Sequence, residues 1–168
     1  VNLLLTSCVR QKYVVMDMVH HNPGEAMTES KFLDPSFLKK NEYGAKVFFL
    51  FEAAQFGIDW KSFDPSLFPD TTEAGRWVAE KAEIIHKKYD AAKKEDLQVY
   101  CMLDMLVLPS LLVEKHRTEL TNEQGKLDIS KPYTQLCIRE LMKEMFETFP
   151  QLDGLVIRTG ETYLHDAP

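Results

Sequence analysis

The sequence predicts an α/β chain built on a parallel sheet, and three observations predict it. Short apolar runs alternate with amphipathic helical patterns in the order βα-βα-βα-β. The runs lack the in–out alternation of a sheet with one wet face, as strands covered on both faces do. The loops that follow the runs are long, and those that lead into them are short.

The first run is "YVVMDMV", residues 13–19. A long loop, "HHNPGEAMTESKFL" (20–33), leads to "DPSFLKKNEYG" (34–44). There Asp34 is placed to cap a helix, Pro35 suits its first position and Gly44 its stop. The second run is "KVFFLFEAA" (46–54), followed by the loop 55–70. Residues 71–96 then carry Val78, Ala82, Ile85, Tyr89 and Ala92 at steps of four and three, an amphipathic helix. The third run is "QVYCMLDML" (98–106), with a loop over 107–129. Residues 130–150 repeat the helical pattern through Ile138, Met142, Met145 and Phe149, and Pro150 ends it. The fourth run is "DGLVIRT" (153–159).

Each run ends in an ionisable group: Asp17, Glu52, Asp104 and Arg158. Their common position predicts a polar mouth at the C-terminal end of a parallel sheet, where α/β folds bind ligands. An inner layer of ion pairs that only supports the fold is the other reading of the same charges. Four strands with long loops on one end predict the N-terminal half of a TIM (β/α)8 barrel, with helices on the outer side. The expectation is one domain over residues 1–168, a partial barrel that continues beyond residue 168 and packs against the rest of its own chain.

Composition narrows the partners. Of 168 residues, 45% are hydrophobic and 27% charged, as in a folded globular chain. The net charge of −6 lacks the Lys/Arg excess that nucleic acid requires. No run approaches the roughly 20 apolar residues of a membrane span. Cys8, Cys101 and Cys137 are odd in number and form no C-x-x-C pair, so Cys101 and Cys137, inside apolar runs, read as buried thiols. No phosphate-binding glycine loop, nucleophile elbow or Cys/His metal spacing occurs, so no cofactor or metal is called for.

Candidate chemistry lies in the loops after the runs. Glu161 follows the fourth run; His20, His21 and Asn22 follow the first; Gln55, Phe56 and Trp60 follow the second; Asp104 closes the third. A glycosidase needs a protonated carboxyl at the scissile oxygen and a second carboxylate across from it. Glu161 suits the first role if the mouth raises its pKa. Trp60 and Phe56 suit stacking on sugar faces or packing under their loop. Arg158 suits a uronate carboxylate or an ion pair with Asp104 or Asp17.

The stretch "PQLDGLVIRTGE" (150–161) resembles the fourth-strand region of barrel glycoside hydrolases, most closely the alpha-glucuronidase kind. Asp153-Gly154 and Glu161 match, with Arg158 near the family's basic position; "TYLHD" replaces the family's glycine-rich turn. The resemblance implies a glycosidase acting on a poly- or oligosaccharide that contains uronic acid, with Glu161 as general acid. It implies secretion or a periplasmic location. The sugar would contact His21, Asn22, Gln55, Trp60, Asp104 and Arg158. Two other readings stand beside it: a metal-dependent amidohydrolase-like barrel using His20 or His21 with Asp104, and a non-catalytic carbohydrate-binding barrel.

Overall fold

The computed structural model describes residues 16–17, 31–49 and 52–158, with Asp17 described by its backbone only. Within them the chain is mixed α/β. Three parallel strands carry the sheet: β2 (Ala45–Phe48), β3 (Gln98–Asp104) and β4 (Gly154–Arg158). A two-residue strand, β1 (Met16–Asp17), pairs in parallel with the start of β2, which gives the order β1-β2-β3-β4.

Five helices are described: α1 (Pro35–Lys40), α2 (Glu73–Lys94), α3 (Ser110–Lys115), α4 (Arg117–Leu120) and α5 (Pro132–Thr148). Local chemistry starts them where expected. Asp34 accepts from the Ser36 amide at 2.9 Å, and Pro35 occupies the first turn of α1. Thr72 accepts from the Gly75 amide at 3.0 Å and opens α2. α1 ends earlier than expected: its cap is Asn41, and the left-handed residue is Glu42 (φ 65°) rather than Gly44. The expected loop 107–129 holds two short helices and a bridge between Thr121 and Leu127.

The helices share one apolar core. Phe48, Val99, Cys101 and Leu103 face it from the sheet; Leu38, Ile85, Leu112, Leu120 and Leu141 bring in α1 through α5 in order. Ala45, Val47 and Met102, which alternate with these along the strands, are buried but lie outside that cluster. Every described helix therefore packs on the same face of the sheet. On α2 the expected stripe holds, with Val78, Ile85, Tyr89 and Ala92 buried. On α5 the expected stripe holds at its end, with Met145 and Phe149 buried, and is turned by one position at its start. Cys137, Leu141 and Met145 are buried, and Ile138 and Met142 flank them.

The loops keep the expected asymmetry. Only residues 95–97 separate α2 from β3, and 149–153 separate α5 from β4, whereas residues 49–72 lie between β2 and α2, and residues 105–131, which hold α3 and α4, lie between β3 and α5. No described helix is long and apolar enough to cross a membrane. Cys101 and Cys137 are free and buried, and burial pushes both thiols up to about 11.

Candidate functional site

The four strand-end charges do not form one ring. Asp104 and Arg158 are register partners at the last positions of β3 and β4. They lie with Met102 on the face away from the helices. Arg158 Nε donates to Asp104 Oδ1 at 2.6 Å, and Nη2 donates to Oδ2 at 2.5 Å. Asp104 is 3% exposed, so this bidentate pair is removed from water on its acidic side. The guanidinium also lies 5.3 Å from the centroid of the Phe49 ring.

Glu52 departs from the group. Its carboxylate pairs with Lys88 of α2, and its backbone carbonyl accepts from Tyr89 Oη at 2.9 Å. β2 ends at Phe48, four residues before Glu52, whose amide donates to the Phe49 carbonyl at 3.2 Å. Asp17 departs by register. It pairs with Lys46, which pairs with Val99, five residues before Asp104 along β3. At about 3.3 Å per residue that is roughly 16 Å below the Asp104–Arg158 level. An ionisable residue after an apolar run marks the end of that run, but it does not give the height at which neighbouring strands pair.

Gln55 and Trp60 meet elsewhere. After β2 the chain makes a 3-10 turn, Ala54–Gly57, whose four residues are all buried. Gly57 is needed there: a Cβ would stand 2.6 Å from Phe149 Cζ and 3.0 Å from Ala82 Cα. Trp60 then adopts φ 57°, an unusual backbone for a bulky residue, and its carbonyl accepts from the amides of Phe63 (3.0 Å) and Asp64 (2.7 Å). Together Gln55 and Trp60 border a cavity of about 480 Å³ between the start of α2, the loop after β2 and the segment that enters α3. Phe56, Phe68 and Trp77 complete its aromatic wall, and Leu141 of α5 closes it on the core side. The chain's two tryptophans thus both border this space.

The cavity is on the helix side of the sheet, and neither Asp104 nor Arg158 lines it. The single cleft expected for Gln55, Trp60, Asp104 and Arg158 is therefore two places. Trp60 is only 1% exposed and packs edge-on to Phe63 (6.0 Å between centroids, 64°), so it forms wall rather than an open stacking platform. Trp77, which the sequence reading passed over, stands edge-on to Phe56 at 6.4 Å. Its position just before the buried stripe residue Val78 was the available signal.

The polar groups of the cavity are few. Gln55 is 9% exposed, and its side-chain carbonyl is buried with no hydrogen-bond donor. Glu73 and Ser110 are exposed at the rim. Lys115 of α3 ties the loop after β2 to the cavity's other side through Asp64 and, at 3.0 Å, Ser66. Lys115 and the Ser66 hydroxyl and amide hold the Asp64 carboxyl down at about 2.

Glu161, His20, His21, Asn22 and Cys8 lie outside the described residues. Among the described residues no group of three or more His, Cys, Asp or Glu is arranged to hold a metal ion. Asp104, the carboxylate of the amidohydrolase-like alternative, gives both oxygens to Arg158. Comparison with family models, curated proteins and solved structures returned no match.

Proposed function

We propose that these strands are the first four of a (β/α)8 barrel and that the protein is a glycoside hydrolase with Glu161 as general acid. One observation carries the reading. A buried, bidentate Asp104–Arg158 pair sits on the helix-free face at the C-terminal ends of two adjacent parallel strands. In a barrel that face is the interior and that end is the mouth. Glu161 follows Arg158 by three residues, so the segment that bears it leaves the sheet from a fixed point. The one-sided helices and the long loops after β2 and β3 agree with this reading. So does Ile157, 47% exposed on the outer face of β4.

The roles follow from charge and position. Asp104 and Arg158 are a positioning pair: with its fork on Asp104, Arg158 holds the strand end and places a cation beside the mouth. Glu161 donates the proton to the leaving oxygen, and the partner carboxylate comes from a later strand. The substrate class is a uronic-acid-containing poly- or oligosaccharide, met in a secreted or periplasmic setting, with His21 and Asn22 on the loop after β1 as sugar contacts.

Leaving-group kinetics test the assignment. Proton donation contributes about 10²–10⁴-fold. Glu161→Gln is expected to lower kcat by that factor on an alkyl or sugar leaving group and far less on an activated aryl glycoside, with KM nearly unchanged. Equal loss on both would make Glu161 a nucleophile or a structural residue. No loss on either would remove it from the chemistry and favour the carbohydrate-binding alternative.

A further inference from the structure

We propose that Asp104 is a positioning residue that masks the charge of Arg158 and so keeps Glu161, three residues further along the chain, able to hold the proton it donates. The inference rests on the reading of Glu161 as general acid and names what sets the strength of that acid.

A general acid has to carry its proton at working pH, and a bare guanidinium nearby opposes this because it favours the carboxylate. Arg158 is near by covalent necessity, since three residues span at most about 11 Å. The pair answers the difficulty. Arg158 Nε and Nη2 each donate to one oxygen of Asp104, so a full negative charge lies against the positive one. Asp104 is buried, and salt and water take little part in weakening that contact. Phe49, directly after β2, packs against the core and holds its ring 5.3 Å from the guanidinium carbon, which keeps the cation in place. The other strand-end charges do not serve this purpose. Glu52 pairs with Lys88 of α2. Asp17 and its register partner Lys46 sit roughly 16 Å lower along the strands.

Arg158 and Asp104 act on Glu161 with opposite signs, so removing one charge at a time separates masking from mere support of the fold. The test is titration of the Glu161 carboxyl by carbon NMR in the whole chain labelled at glutamate, with its signal assigned by loss in Glu161→Gln. A unit charge about 8 Å away, at an effective dielectric constant of about 20, moves a carboxyl by on the order of one pH unit. Asp104→Asn unmasks Arg158 and should lower the Glu161 midpoint by about that much. Arg158→Met leaves Asp104 unopposed and should raise it. The double variant Asp104→Leu/Arg158→Met should return it close to wild type. With methyl α-D-glucuronoside as substrate, the high-pH limb of kcat/KM should move in the same directions. A titration that shifts while the limb stays fixed supports the masking and removes Glu161 as the acid, so the two claims fail separately. A Glu161 midpoint unmoved in both single variants, or displaced in the same direction in both, overturns the proposal. Should one single variant not fold, the sign found with the other decides.

Discussion

The strand-end pair and the aromatic cavity handle a buried polar group in opposite ways. Asp104 is buried with both oxygens taken by a guanidinium fork on the next strand. Gln55 is buried with its carbonyl unanswered. The first arrangement is complete within the protein and holds two strands at one level. The second leaves an acceptor unsatisfied inside the protein. Removing the polar group should therefore have opposite signs at the two places, and that contrast can be broken or sharpened by measurement.

The largest effect is expected at the pair. Arg158→Met leaves Asp104 charged and buried, which costs about 3–5 kcal/mol in stability. For a chain of this size that lowers Tm by roughly 10 °C. The double variant Asp104→Leu/Arg158→Met should recover most of the loss in thermal unfolding. A single variant as stable as wild type would mean that the pair holds nothing together.

The 3-10 turn after β2 comes next. Gly57→Ala forces a methyl against Phe149 and the α2 backbone, and overpacking of this kind costs about 1–3 kcal/mol. Denaturant unfolding should show a lower midpoint with an unchanged slope. Gln55→Leu should do the reverse. It removes an unsatisfied acceptor at nearly constant volume, and stability is expected to rise by about 1 kcal/mol. A loss of stability at Gln55 would show that its amide has a partner after all, and the contrast with Asp104 would disappear.

The smallest effect concerns pH. Asp64 has a depressed pKa when folded, so its contribution is present above its ordinary value near 3.8 and is lost as pH falls through about 2. Acid should thus loosen the tie between the loop after β2 and α3. Lys115→Met should flatten the dependence of stability on pH over that window. An unaltered acid limb would assign the titration to other carboxylates.

The sequence was most legible where one element decides the matter alone. The Asp34 cap, the α2 stripe and the parallel order each follow from local pattern, and each appears in the structure. The short helices after β3 were missed, because α3 and α4 are too short to show a period. The site was half legible. Asp104 and Arg158 were read together because register carries two strand ends to one level. Glu52 was misread because β2 ends at Phe48, four residues before it, and Asp17 because register between strands leaves no mark within either. The cavity was seen only as Gln55, Phe56 and Trp60. Trp77 joins them across a loop, and a contact made by a loop has no period to read.

The placement of both tryptophans at one cavity has an optical consequence. The tryptophan fluorescence of this chain reports on a single neighbourhood and carries no signal from the sheet's far face. If the loops around Trp60 and Trp77 open before the core melts, emission will shift while the backbone signal in the far ultraviolet stays native. The two denaturation curves should then separate, with fluorescence changing first.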